Sequence, residues 1–206
     1  IASTLEKMAT SLRGYARTEI REVEEGFRPG QKGSSAMPHK KNPVGLEQIC
    51  GLARLIRGYA LTALENNNLW DQRDISNSSV ERIVLPDSLI LLDYALNRMT
   101  AILKGLKVFP HKMTENLHLT GGLVFSEEVL LKLVSKGIAR EEAYEKLQGL
   151  AMAAWEGPPT FKERVMNDSN LQKYCSVQEL ESCFDLEKTF VHVDVVFKRL
   201  GLTKGF

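Results

Sequence analysis

Three long stretches of the chain repeat apolar residues at helical spacing, and almost nothing alternates as a half-buried strand would. In residues 1–26, Ile1, Leu5, Met8, Leu12 and Tyr15 form one stripe that passes on through Ile20 and Val23. Arg17, Glu19, Arg21, Glu22, Glu24 and Glu25 fall on the other side and predict a solvated helical face with i,i+4 pairs. A second helix is predicted over about 43–68, with Leu46, Ile49, Ala53, Ile56, Ala60 and Leu64 inward. Its dense small residues, Gly45, Gly51, Ala53, Gly58, Ala60 and Ala63, predict close helix packing. A third spans about 76–107, with Pro86 expected to kink or break it. Shorter helices follow at about 110–119, 123–136, 140–156, 160–167, 176–184 and 191–200, and Ser176-Val177-Gln178-Glu179 has the pattern of a capping box. These features predict an all-α fold, a long-helix bundle followed by a small helical domain. The boundary is expected where Thr120-Gly121-Gly122 changes the character of the chain, giving residues 1–120 and 121–206.

Between the first two helices lies Gly33-Ser34-Ser35-Ala36-Met37-Pro38-His39-Lys40-Lys41-Asn42-Pro43. Gly30 and Gly33 allow backbone bends, and Pro38 and Pro43 fix φ and remove amide donors. A connection between helices needs only a few turn residues, and this one carries hydroxyls, an imidazole, ammonium groups and a carboxamide. Taken singly, a serine beside glycine is a turn former and a lysine pair is a solvated charge. Together they can aim amides and a side-chain oxygen at one reacting centre, with a lysine and an asparagine beside it to receive negative charge. That suits removal of a proton next to a carboxylate. Residues 70–79 form a second polar stretch, offering Arg73 and Ser78, with Arg82 one turn further on the same helical face as Ser78. A Ser and Arg so placed can grip a carboxylate or phosphate. The structural alternative pairs Arg73 with Asp71 or Asp74, and Arg82 with a nearby acid.

Bulk properties exclude several classes. Net charge is +1, which implies no global pull toward nucleic acid or membrane. No apolar run approaches the length of a membrane span. The three cysteines, Cys50, Cys175 and Cys183, fit neither a zinc pattern nor a disulfide framework, and suggest a reducing compartment. There is no metal-ligand cluster and no glycine-rich phosphate loop, so no cofactor is expected. A helical pattern already running at Ile1, without an initiator Met, suggests the later part of a longer protein.

The loop at 33–43 closely resembles the signature G-S-S-x-M-P-x-K-x-N of the fumarase/aspartase superfamily. Ala36 after the serines and His39 before Lys40 resemble its adenylosuccinate lyase or cycloisomerase branches rather than fumarase. The stretch from Arg73 to Ile83 with Leu85-Pro86-Asp87, the run Arg21-Glu22-Val23-Glu24-Glu25, and Cys183-Phe184-Asp185 resemble the adenylosuccinate lyases. The resemblance runs over essentially the whole chain.

It implies β-elimination of fumarate from adenylosuccinate, giving AMP, and from the succinyl-carboxamide ribotide SAICAR, giving AICAR. Ser34 then corresponds to the general base, and Lys40 and Asn42 to the groups holding the carboxylate as an aci-carbanion forms. Glu47 corresponds to a residue that orients a histidine of another subunit. Ser35, Met37, Arg73, Ser78 and Arg82 fall on substrate-binding positions. The resemblance also implies a cytoplasmic homotetramer with active sites shared among subunits, without nucleic acid, membrane or metal. Its general-acid histidine matches none of His39, His111, His118 and His192. Asn77, where relatives often carry His, and Gln48, where some carry Arg, put fine substrate contacts in question. Two alternatives stand beside this reading: a carboxymuconate cycloisomerase-like enzyme, and a non-catalytic helical assembly protein on the same fold.

Overall fold

The computed structural model describes residues 1–27, 30, 37 and 39–202. Gly33, Ser34, Ser35, Ala36 and Pro38 therefore lie outside the described residues. The chain divides into two compact units, Ile1–Met113 and Thr114–Phe206. Among the described residues both are built almost wholly from helices.

The first unit packs α1 (Ala2–Tyr15), α2 (Val44–Glu65) and α3 (Ile75–Lys104) around Leu5, Ala9, Leu46, Ile49, Cys50, Ala95, Met99 and Ile102. Helix α3 continues through Pro86 as a single element. Asp74 caps its start, accepting from the Ser76 amide at 2.7 Å.

The first helix is much shorter than residues 1–26. It stops at Tyr15, whose carbonyl takes the Glu22 amide at 3.0 Å, and Arg21 turns the chain at φ 52°. Val23–Glu24 then form β1, paired antiparallel with β2 (Lys107–Val108), Val23 opposite Val108. Helical continuation loses because Val23 is buried by that pairing and Phe109 donates to the Glu22 carbonyl at 2.9 Å. The charge run is consequently not a solvated helical face. Glu24 sits on a strand and Glu25 is buried at 5% exposure.

The buried stripe of α1 is also rotated from the apolar one. Ala2, Leu5 and Ala9 face inward, while Ile1, Met8 and Tyr15 are exposed. On α2, burial follows Leu46, Ile49 and Ala53 and then ceases: Leu61 and Leu64 are exposed. Of its glycines only Gly45 is tightly enclosed; a Cβ at Gly51 or Gly58 would meet nothing within 4 Å. Gly26 is another close approach, where a Cβ would stand 2.4 Å from the Gly105 carbonyl oxygen.

The second unit follows α4 (Pro110–His118), which bridges the division. A 3-10 turn at Leu123–Phe125 leads into α5 (Ser126–Ser135), then α6 (Arg140–Glu156), α7 (Phe161–Asn167), α8 (Val177–Glu181) and α9 (Val193–Arg199). Its core includes the fully buried Phe161, Leu133, Leu171, Leu180, Val129 and Val165. Thr160 and Ser176 each form a reciprocal capping box, with Glu163 and Glu179. The Arg164 guanidinium gathers the carbonyls of Ala153, Gly157, Pro158 and Pro159, holding the turn between α6 and α7.

Candidate functional site

The described part of the signature loop is fastened to the start of α2. Lys40 donates its amide to the Met37 carbonyl at 3.1 Å, and Val44 donates to the Asn42 carbonyl at 2.9 Å. Helix α2 begins after Pro43, which offers no side-chain cap. The free amides of a first turn need acceptors. Here Gly45 donates to the Glu25 carboxylate at 3.1 and 3.3 Å, and Leu46 donates to it at 3.3 Å. Arg98 from α3 lies 3.6 Å from the same carboxylate. A residue twenty positions upstream thus caps the helix that carries the loop. Negative charge at a helix N-terminus is favourable, and the guanidinium offsets its burial. Neither signal is visible in sequence, where Glu25 is one acid among several in a charged run.

Glu24, the neighbouring acid, points the other way. Its carboxylate takes Lys41 at 2.9 Å and Lys107 at 3.2 Å. Partial burial pushes its pKa up, but hydrogen bonds and charge from Lys41 and Lys107 outweigh this and hold it below the usual range. Lys41 also stands 5.9 Å from the Phe27 ring centroid. The two adjacent lysines therefore differ. Lys41 is tied down, whereas Lys40 is exposed and makes no ion pair among the described residues. An ammonium so placed, beside the positive end of α2, can receive an anion. Met37 is 45% exposed, Asn42 is half-buried, and Glu47 lies exposed in the first turn of α2. Ser34 and Ser35 lie outside the described residues.

The second polar stretch is at the opposite end of α2. Asn77 is buried at 3% exposure and donates to the carbonyls of Asn66 and Asn68 at 2.8 and 3.3 Å. Asn66 returns a hydrogen bond to the Asn77 carbonyl at 2.9 Å. Asn77 is thus spent on joining the end of α2 to the start of α3. Arg73 pairs with Glu81 rather than with Asp71 or Asp74. Ser78 is half-buried, with its hydroxyl 3.5 Å from the Ile75 carbonyl, and Arg82 is exposed. Asp71 stands in the left-handed region at φ 56°, beside an open depression of about 520 Å³ lined by Trp70, Asp74 and Ser76 among others.

Length separates the two stretches. Helix α2 has 22 residues, which at 1.5 Å each is roughly 30 Å. Lys40 and Asn42 lie at one end, and Arg73, Ser78 and Arg82 at the other. One chain does not bring them together. Among the described residues no cluster of His, Cys, Asp and Glu is placed to hold a metal ion.

The chain has counterparts among known proteins. The family described as Lyase matches residues 1–58, and the one described as Adenylosuccinate lyase C-terminus matches residues 122–200. Adenylosuccinate lyase of Bacillus subtilis (strain 168) is 50% identical over 202 residues, 98% of this chain and 47% of that protein. The solved 3-carboxy-cis,cis-muconate lactonizing enzyme from Pseudomonas putida matches at TM-score 0.82 and 29% identity, over 96% of this chain and 44% of that one. Fumarate lyase from Mesorhizobium sp. BNC1 matches at TM-score 0.83 and 24% identity, over 97% and 44%. The chain spans about half the length of these relatives. The architecture is that of the fumarase/aspartase superfamily, and within it the chain belongs to the adenylosuccinate lyase family.

Proposed function

We propose that this chain serves an adenylosuccinate lyase, eliminating fumarate from adenylosuccinate to leave AMP, and from SAICAR to leave AICAR, in purine biosynthesis. The observation that carries the reading is 50% identity to an adenylosuccinate lyase across 98% of the chain. In this reading Ser34 removes the proton beside a succinyl carboxylate. The electron pair moves into that carboxylate, which Lys40 and Asn42 hold as charge develops. The bond from carbon to nitrogen then breaks, and a general acid other than His39, His111, His118 or His192 protonates the nitrogen. A serine is a weak base in water, so its alkoxide needs loop amides and nearby cations to stabilise it. Lys40, exposed at the positive end of α2, is suited to that field. Glu47 orients a partner histidine. Ser35, Met37, Arg73, Ser78 and Arg82 bind substrate.

The same reading makes the protein a cytoplasmic homotetramer. Residues 1–120 contribute the later part of a central bundle carrying the loop at 33–43, and residues 121–206 the small C-terminal domain. Two features support assembly. Loop and arginine stretch lie at opposite ends of α2, so a complete site needs a second copy. Leu61 and Leu64 of α2 and Ile83, Leu89 and Ile90 of α3 are also each exposed.

The test is release of fumarate from adenylosuccinate by the protein at its natural length. Turnover is expected, and Ser34→Ala should lower it by about 10³-fold while substrate binding is kept. Lactonisation of a muconate without fumarate release would replace this reading with the cycloisomerase.

A further inference from the structure

Glu25 has no place in the chemistry above, yet it is among the most constrained side chains of the first unit. Its carboxylate is 5% exposed and accepts from the Gly45 and Leu46 amides. Arg98 approaches it from α3 at 3.6 Å. The enclosure has no slack: a Cβ at Gly45 would stand 2.6 Å from Glu25 Oε1, 2.8 Å from Ile102 Cδ1 and 2.9 Å from Arg98 Nε. The anchored turn begins directly after Asn42, whose carbonyl accepts from Val44. Lys41 is held separately by Glu24, the last residue of β1 and the one before Glu25. That strand is itself fixed by pairing with Lys107–Val108 beyond α3.

We propose that Glu25 is a positioning residue for the elimination, holding the start of α2 so that Lys40 and Asn42 stand where the developing carboxylate charge must be met. The proposal rests on the function given above for Lys40 and Asn42. Its physical basis is that preorganised charge acts only if its position is fixed before reaction. Small displacements of such groups cost large factors in rate. Because the charge they meet exists in the transition state, loosening them lowers kcat more than it raises KM.

The experiment is Glu25→Gln in the protein at its natural length, read by kinetics and by amide hydrogen exchange. The substitution keeps shape but removes the charge facing Arg98 and one of two acceptor oxygens. kcat on adenylosuccinate should fall on the order of tenfold or more, with KM changed far less. Exchange at Gly45 and Leu46 should rise while that of Cys50–Ala53 stays as in the unsubstituted protein. In a Lys40→Met background the same change should cost clearly less than in the unsubstituted protein, because part of its effect acts through Lys40. An undiminished kcat, a loss that multiplies fully with Lys40→Met, or exchange rising throughout α1, α2 and α3 would each overturn the proposal. The last two would make Glu25 merely structural. If Glu25→Gln does not fold, Glu25→Asp, which keeps the charge but withdraws it from the amides, takes the same measurements. If the unsubstituted protein releases no fumarate, the functional reading fails. The exchange arm then still decides whether Glu25 holds the turn, and no local rise at Gly45 and Leu46 overturns it.

Discussion

Asn77 and Glu179 show how much a single polar side chain does in this chain. Asn77 is buried and its amide group serves two carbonyls of the α2–α3 connection. Asn77→Ala leaves those acceptors without donors, and should cost about 2 kcal/mol in urea unfolding. A substrate contact alone would leave stability untouched. Glu179 takes a hydrogen bond from Lys136 and the Ser176 amide, which together hold its carboxyl at about 2. A carboxyl lowered on folding stabilises the protein above its unfolded value, and that contribution is lost as pH falls through the folded one. Stability should therefore decline between about pH 4.5 and about pH 2 through this group. Glu179→Gln should remove that part of the acid dependence, leaving a flatter profile of thermal midpoint against pH. At the same scale, burial pushes the thiols of Cys175 and Cys183 up, which makes them poor nucleophiles in the native fold.

Elements were legible where their signals are local. The 3.6-residue period located α2, α3, α5 and α6 to within a few residues, and Ser176 and Glu179 announced the box at the start of α8. Thr160 makes the equivalent box for α7. Thr160→Ala and Ser176→Ala should each cost about 1 kcal/mol by denaturant unfolding. Phe161→Ala, at the centre of the second core, should cost about 3–5 kcal/mol. What local pattern could not give is the end of α1. Its competitor is a strand pairing whose members, such as Glu24 and Lys107, are 83 residues apart. A shorter separation, twenty residues, was enough to hide Glu25, since a cap supplied by a separate segment leaves no trace in the sequence around Pro43. The inward face of α1 was misjudged because Ala2 and Ala9 pack closer than the larger Ile1 and Met8. Small residues allow helices to approach, a preference that hydrophobicity alone does not register.

For the whole molecule, the signature loop and the arginine stretch were both recognisable in sequence, yet their separation was not. It follows only from folding α2 into one helix, roughly 30 Å long, with the loop's Lys40 and Asn42 at its start and Arg73, Ser78 and Arg82 near its far end. The central claim is that one catalytic site is completed by copies contributing opposite ends of this helix. The most direct measurement mixes two variants of the natural-length protein, Lys40→Ala and Arg82→Ala, each of which should be nearly inactive alone. Co-expressed in equal amounts, they should regain roughly a quarter of unsubstituted fumarate release, because some sites then draw both intact groups from different copies. Activity no greater than the sum of the separate variants, in a mixed assembly verified by mass, would contradict the claim.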